Sequence, residues 1–245
     1  MINGNPPKPS DHTVLYAIGD IHGRLDLLQD LYEQINHDAV ALNADDRTIV
    51  HLGDYIDRGP DSKHVIEHFC SQPPEGFDNH WLIGNHEQDM LGFLAGDPMS
   101  TRWLFNGGQE TLKSYGVVYD GVETTADIVD QVRSGLNANV PTAHRLFLEN
   151  LVLTYESGDY LFVHAGVRPG IALKDQAPRD LTWIRHQFLN ATENFGKIVI
   201  HGHSPFRNPQ VRRNRIGIDT GAYHTGRLTC LVLHGRTYRF LQTNP

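Results

Sequence analysis

Three apolar, β-branched segments of this chain each run into a glycine followed by aspartate or asparagine, and this recurrence constrains the fold most. The segments are VLYAIGD, RTIVHLGD and HWLIGN, ending at Gly19-Asp20, Gly53-Asp54 and Gly84-Asn85. The stretches between them, LDLLQDLYEQI and SKHVIEHFC, have helical patterns, so the first half of the chain predicts βαβ units. Because ligands bind at the carboxyl edge of open α/β sheets, we expect the three polar side chains to share one edge.

The rest of the chain predicts one domain with a helical cap. Residues from about Met99 to Asn150 are helical in character and are interrupted by glycines and a proline, which favours a cap over the sheet edge. From Leu151 onward strand patterns dominate, with one short helix near Leu181 to Leu189. The polar, proline-rich residues 1–12 predict a flexible leader, and residues 13–245 predict a single α/β domain.

Charge and hydropathy argue against two classes of partner. The formal charge of -8 at pH 7 argues against DNA or RNA, whose binding depends on clustered lysine and arginine. No apolar run reaches the roughly 20 residues that cross a bilayer, and no secretory pattern is present, so we expect a soluble, cytoplasmic protein without a membrane partner. Cys70 and Cys230 lack the number and spacing of a disulfide framework or zinc site. The sequence carries no signal for oligomeric state.

Five short segments concentrate the residues that bind metals. They are GDIHG at 19–23, GDYIDRG at 53–59, GNHE at 84–87, VHAG at 163–166 and HGHSP at 201–205. In an extended chain residues i and i+2 point to the same side, so Asp20 and His22 can bind one cation together. Asp54 can bridge two cations through its two oxygens, and the residues that complete the second site are Asn85, His164 and His203. Mixed carboxylate, amide and imidazole ligands suit Mn, Fe or Zn rather than Mg or Ca alone.

This ligand set predicts phosphoester hydrolysis by in-line displacement. Two cations held about 3.5–4 Å apart lower the pKa of a bridging water and clamp the phosphoryl oxygens. The leaving oxygen then needs a proton, which His86 can donate if Asp57 orients its other ring nitrogen. Arg58 and Arg185 offer guanidinium forks to the phosphate.

Together the five segments resemble the signature of the PPP-type metallophosphatases, within the calcineurin-like superfamily. Three further stretches resemble the serine/threonine protein phosphatases of phage lambda and of bacteria: RWLFNGGQETL at 102–112, LTWIR at 181–185 and IDTGAYHTGRLTCLVL at 218–233. The resemblance spans about Val14 to Leu233. It implies a calcineurin-like four-layer α/β/β/α sandwich with a small helical cap. It also implies two divalent metal ions per chain, with Mn2+ as the expected metal and Fe or Zn as alternatives.

The resemblance also implies a role for individual residues. The implied metal ligands are Asp20, His22 and Asp54 at one ion, and Asp54, Asn85, His164 and His203 at the other. The family's last ligand directly precedes a small polar residue and proline, which selects His203 over His201. The implied catalytic residues are His86 with Asp57, and the implied phosphate-binding residues are Arg58 and Arg185. Asn85 and Tyr223 are further candidates for substrate binding.

The chain departs from the family pattern at one position. Many protein phosphatases of this family carry an arginine before GNHE, where this sequence has Ile83, and Arg24 is a candidate replacement. Two aromatic residues have open roles as well. Tyr223 is expected either to contact the substrate or to pack under the site, and Trp183 is expected to belong to the core rather than to a substrate platform.

The leading functional prediction is a serine/threonine protein phosphatase of possible dual specificity, acting on a phosphorylated protein or peptide. The first alternative is a diadenosine tetraphosphatase or another nucleotide phosphohydrolase with the same site. The second is a catalytically inactive scaffold, against which the intact ligand set argues. All three share the fold; the first two differ in substrate, and the third binds a partner without catalysis.

Overall fold

The computed structural model describes residues 6–10, 13–44 and 46–244, and within them the chain forms two five-stranded sheets with helices on their outer faces. The strands are β1 (Thr13–Ile18), β2 (Asp46–His51), β3 (Asp78–Trp81), β4 (Thr154–Ser157), β5 (Tyr160–Val163), β6 (Ile198–His201), β7 (Gln210–Val211), β8 (Arg215–Gly217), β9 (Thr229–His234) and β10 (Thr237–Gln242). The α-helices are α1 (Leu25–Leu42), α2 (Ser62–Ser71), α3 (Asn85–Ala95), α4 (Gly108–Ser114), α5 (Ala126–Asn139), α6 (Thr142–Glu149), α7 (Pro178–Trp183), α8 (His186–Leu189) and α9 (Ala222–Thr225). Two 3₁₀ helices lie at Pro98–Phe105 and Leu173–Asp175.

The first sheet has the strand order β10-β9-β1-β2-β3. Strands β1, β2 and β3 are parallel and are joined by α1 and α2, which confirms the predicted βαβ units. Helix α1 buries Leu28, Leu31 and Ile35, spaced three and four residues apart, against this sheet. It ends where Asn43 adopts a left-handed conformation. Strands β9 and β10 extend the sheet in the antiparallel sense.

The second sheet has the order β4-β5-β6-β8-β7, with β5, β6 and β8 parallel. Alternate residues of its strands face opposite sides, as the two-residue repeat of a strand requires. Phe162 and Ile200 pack toward the first sheet, whereas Leu161 and Val199 pack with Phe188 of α8. Helices, first sheet, second sheet and short helices therefore form four layers, which confirms the predicted α/β/β/α sandwich.

The segment from Met99 to Asn150 contributes helices to the outer layer of the first sheet. Trp103, Leu112, Leu136 and Leu148 from this segment belong to the same buried cluster as β1 and α1. The idea that it forms a cap over the sheet edge, within a single domain of residues 13–245, stays a prediction.

The predicted leader at residues 1–12 falls partly outside the described residues, which omit 1–5, 11 and 12. Its described part lies along the β4–β5 turn, where the backbone N–H of Lys8 donates to Asp159 and that of Ser10 donates to Ser157. Among the described residues, no helix is both long and apolar enough to span a membrane.

The stacking of the two sheets brings their carboxyl edges together. Strands β1 and β2 end at Ile18 and His51, whose Cα atoms are register partners in the first sheet. In the second sheet, β6 and β8 end at His201 and Gly217, which are also register partners. Polar loops from both sheets therefore meet at a single edge, as the sequence predicts for the first three strands.

Candidate metal centre

Asp54 lies at the middle of this edge, and two buried groups of potential metal ligands share its carboxylate. One group is His22, Asp54 and His86, and the other is Asp54, His164 and His203. His22 Nε2 lies 3.6 Å from Asp54 Oδ2, while His164 Nε2 lies 3.3 Å from the other oxygen, Oδ1. Each carboxylate oxygen thus faces a different group, as a bridging ligand must.

The two histidines nearest Asp54 have fixed ring orientations. Nδ1 of His22 donates to the carbonyl of Ile56 and Nδ1 of His164 donates to the carbonyl of Leu52, both at 2.8 Å. Both Nε2 atoms therefore point inward, which is the arrangement that metal-binding histidines show in proteins. Although burial opposes the charge, the carboxylates of Asp54 and Asp20 raise the pKa of His164 to about 9, so a metal ion bound there would displace its Nε2 proton. Burial, followed by the neighbouring imidazoles, lowers the pKa of His22 well below its usual value and that of His203 to about 2. The imidazoles of His22 and His203 are therefore neutral, as metal ligation requires, and the two groups of residues fit a dinuclear metal centre.

Two further predicted ligands lie beside these groups. The Asp20 carboxylate accepts the backbone N–H of His203 at 3.0 and 3.2 Å and lies outside both groups. The side-chain oxygen of Asn85 lies 3.0 Å from His164 Nε2. Burial and the nearby carboxylates of Asp219 and Asp54 raise the pKa of Asp20 well above its usual value. This accumulation of buried carboxylates is what a cation would compensate.

His86 is held by a network that the sequence only partly revealed. Its Nδ1 lies 2.6 Å from Asp57 Oδ2, as predicted for the pair. The indole N–H of Trp103 donates to Asp57 at 2.8 Å and the Thr111 hydroxyl donates to it at 2.6 Å, so that carboxylate has little freedom to rotate. Although burial opposes the charge on the ring, the carboxylates of Asp54 and Asp57 raise the pKa of His86. The imidazole is therefore placed to carry a proton at Nε2.

Both predicted phosphate-binding arginines reach the mouth of the site. The two terminal nitrogens of the Arg58 guanidinium lie 2.9 Å from Nε2 of His22 and 3.0 Å from Nε2 of His86. Arg185 donates from Nε to His203 Nε2 at 3.0 Å. Tyr223 is partly exposed, and the Arg58 guanidinium lies 5.1 Å from its ring centre. An anion bound by these arginines would lie against both ligand groups.

The backbone of the site is held in a conformation that most residues avoid. Of the six non-glycine residues with positive φ among those described, five lie in the site loops: His22, Asp54, Asp57, Arg58 and His203. Such strain persists only where the surrounding structure imposes it, and it clusters at functional sites. Gly53 and Gly84 allow two loops to touch, since a Cβ on Gly84 would lie 2.4 Å from the Asp54 nitrogen. The predicted close approach at these glycines is confirmed.

Glu87 is a buried residue of the site that the sequence analysis did not single out. One of its carboxylate oxygens accepts the backbone N–H of Asp54 and of Gly84, both at 2.9 Å. The other accepts those of Tyr55 and Ile56 at 2.8 and 3.3 Å. Its place three residues after Gly84, the N-cap of α3, is that of the glutamate in a capping box, although glycine has no side chain to return the bond. A glutamate at this spacing from a predicted helix start is the signal that could have identified it.

The position of Ile83 and its candidate substitute are also resolved. Ile83 makes a backbone hydrogen bond to Val152. Arg24 forms a two-point ion pair with Asp26 at 2.6 and 2.8 Å and also donates to the carbonyl of Ala222. The Arg24 guanidinium is therefore engaged by these partners. Trp183, predicted as a core residue, is instead partly exposed, and its ring centre lies 6.1 Å from that of His203.

Comparison with known proteins adds three findings. A family model described as calcineurin-like phosphoesterase matches residues 13–234. A protein of Bacillus velezensis named bis(5'-nucleosyl)-tetraphosphatase PrpE (asymmetrical) is 26% identical over 233 residues, covering 86% of each chain. The protein of the same name from Halalkalibacterium halodurans is 25% identical and covers 87% of each chain.

Solved structures share the fold. A candidate diadenosine tetraphosphatase superposes with a TM-score of 0.64 at 18% identity over 96% of both chains. A cold-active protein-tyrosine phosphatase of a Shewanella species superposes with a TM-score of 0.58 at 17% identity, covering 96% of this chain and 83% of its own.

The prediction of a serine/threonine protein phosphatase acting on phosphorylated proteins or peptides is wrong. The curated relatives that match most of the chain are named as nucleoside tetraphosphatases, which favours the first alternative. The error has a physical cause. The signature motifs were assigned to metal binding and to chemistry at the phosphorus, which all phosphoesters share, so these motifs do not distinguish one substituent of the phosphate from another.

Proposed function

The chain belongs to the calcineurin-like phosphoesterase family, and from that premise we propose that it hydrolyses dinucleoside tetraphosphates, with diadenosine tetraphosphate as the representative substrate. Hydrolysis of a phosphoester follows from the family and from ligand groups that share Asp54. The substrate class rests on one observation, the name of the relatives whose similarity extends over 86% of this chain and 86% of theirs.

Two divalent metal ions, Mn2+ by proposal, fit the ligand groups. Asp20, His22 and Asp54 would hold one ion, and the other would be held by Asp54, Asn85, His164 and His203. Bound there, the ions supply Lewis acidity that polarises the phosphoryl group and activates a water for attack.

Side chains that contact the substrate bind the phosphoryl group and donate a proton to the leaving group. Arg58 and Arg185 bind the phosphoryl oxygens through their free N–H groups, which orients the phosphorus between the two ligand groups. His86 donates its Nε2 proton to the leaving oxygen, while Asp57 holds the ring in place through Nδ1. Tyr223, whose ring centre lies 5.1 Å from the Arg58 guanidinium, contacts the substrate beside that arginine.

A leaving group that is itself a phosphate lowers the demand on His86. A phosphate oxygen carries negative charge more readily than a serine or threonine alkoxide does, so departure of ATP or AMP needs less proton transfer. The open position of the two arginines also leaves room for further phosphates of the same chain.

The test is hydrolysis of diadenosine tetraphosphate and of p-nitrophenyl phosphate, with Mn2+ or with EDTA, followed by anion-exchange chromatography of the products. We expect Mn2+-dependent formation of AMP and ATP in equal amounts. Asp54→Asn serves as the inactive control. Turnover of the aryl phosphate without turnover of the dinucleotide would leave the family assignment intact and overturn the proposed substrate class.

A further inference from the structure

A cleft of about 460 Å³ opens beside the metal centre, on the outer face of the second sheet. It is formed mainly by α7, α8 and the turn between them, and its lining includes Arg168, Arg179, Trp183 and Arg185. We call it the arginine–tryptophan cleft. Arg185 belongs to both sites, because its guanidinium also donates to His203. Arg185 therefore lies where the two sites meet.

The cleft carries uncompensated positive charge in an acidic protein. Arg168 is neutralised by a two-point ion pair with Asp180 at 2.6 and 2.7 Å. Arg179 is exposed, and within the described residues its side chain has no hydrogen bond or ion pair. Arg185 pairs with an imidazole and a carbonyl rather than with a carboxylate. In a chain of formal charge -8, two guanidinium groups without a carboxylate partner at one cleft favour an anion with several phosphates.

Trp183 adds a flat aromatic surface whose position is fixed. The Arg102 guanidinium lies 4.7 Å from its ring centre, and Asp89 holds Arg102 through hydrogen bonds of 2.9 and 3.3 Å. The ring cannot swing away on that side, yet it remains partly exposed and lines the cleft. Aromatic rings in this setting bind nucleobases by stacking, with little preference among bases.

We infer that the arginine–tryptophan cleft binds the part of a dinucleoside polyphosphate that lies beyond the scissile phosphate. Arg185 binds at the scissile phosphate, Arg179 binds the phosphates that follow it, and Trp183 stacks against the terminal base. This inference rests on the proposed function and goes beyond it, because it places the distal nucleotide on α7 and α8 rather than on the α4–α6 side of the site.

Kinetics on two substrates test the assignment. The Mn2+ enzyme and its variants Arg179→Gln and Trp183→Leu are compared on diadenosine tetraphosphate and on p-nitrophenyl phosphate, which has no distal nucleotide. We expect each variant to lower the ratio of kcat/KM for the dinucleotide to kcat/KM for the aryl phosphate, mainly through KM. Loss of base stacking corresponds to a factor of about 5 to 150 for Trp183→Leu. Arg213→Gln is the matched control, since Arg213 is exposed in the β7–β8 turn at the opposite end of the sheet.

A binding measurement separates phosphate recognition from base recognition. ATP and inorganic tripolyphosphate are titrated by calorimetry into Mn2+-loaded protein carrying His86→Asn to slow hydrolysis. We expect Arg179→Gln to weaken both ligands by a similar factor, and Trp183→Leu to weaken ATP alone.

Unchanged substrate ratios in both variants, or equal effects of Trp183→Leu on ATP and tripolyphosphate, would overturn the cleft assignment while leaving the proposed function in place. A wild-type enzyme that turns over only the aryl phosphate would overturn the proposed function, and the cleft with it. Matching unfolding temperatures of the variants and Arg213→Gln exclude misfolding as the cause.

Discussion

Replacement of Glu87 by glutamine tests how much the site depends on one buried carboxylate. Each carboxylate oxygen accepts two backbone N–H groups from the loops that carry Asp54 and Gly84. The glutamine oxygen can keep the two bonds at 2.9 Å, to Asp54 and Gly84, but its amide then faces the N–H groups of Tyr55 and Ile56. A buried donor left without an acceptor costs about 1–3 kcal/mol, so two of them cost about 2–6 kcal/mol.

The assay is thermal unfolding at pH 8 in EDTA. Burial, together with the nearby Asp54 carboxylate, raises the pKa of Glu87 to about 7, so the side chain is ionised at pH 8. For a chain of this size each kcal/mol shifts the melting temperature by about 2–4 °C, which gives a loss of about 4–24 °C. Glu123→Gln, at an exposed position, should leave the melting temperature within about 1 °C. A melting temperature of Glu87→Gln equal to that of Glu123→Gln would refute the reasoning.

Three further predictions concern the metals, the acid and an internal histidine. Asp54→Asn should bind fewer than two divalent ions per chain by elemental analysis and lose activity, since the bridging charge is gone; two retained ions would contradict the shared ligand. His86→Asn should keep its metals but lose about 10²–10⁴-fold in rate on alkyl phosphates and much less on p-nitrophenyl phosphate, and equal losses would argue against a proton donor. Burial lowers the pKa of His51 to about 3 from its usual 6.5. The unfolded chain alone binds that proton, so native stability falls below pH 6.5, by about 2 kcal/mol at pH 5. The variant His51→Gln cannot bind this proton and so lacks the loss. The difference in unfolding free energy between wild type and His51→Gln, measured in EDTA, should therefore shrink by that amount between pH 7.5 and pH 5. A constant difference would show that His51 does not titrate.

Much of the scaffold was predictable because local patterns agree with the tertiary structure. Strands β1, β2 and β3 could be predicted from apolar, β-branched runs that end in glycine and a polar residue. The apolar run fills the core and the glycine sets the loop after it, so local sequence and tertiary structure agree there. The region around Leu181 to Leu189 shows the limit of this reasoning. Its pattern predicts one helix, but the chain leaves helical geometry at Ile184 and Arg185, producing α7 and α8. That break aims Arg185 at His203, a demand of the site rather than of local propensity.

The parts of the site that escaped prediction depend on partners distant in sequence. Glu87 owes its role to N–H groups about thirty positions away, and Asp57 is fixed by Trp103 and Thr111 from a different segment. The substrate class escaped for another reason. The proposed roles of Trp183 and Arg179 depend on the position of α7 beside His203. The spacing of the signature residues does not indicate that these elements are adjacent.

The proposed ligands come from both sheets, and this arrangement has a mechanical consequence. His22 and Asp54 follow strands of the first sheet, whereas His164 and His203 follow strands of the second. Ions bound between these residues would cross-link the two sheets at the carboxyl edge that they share. Removing the ions with a chelator would then weaken the contact between the two sheets as well as stop the reaction. Amide hydrogen exchange should quicken first in the loops that meet at that edge.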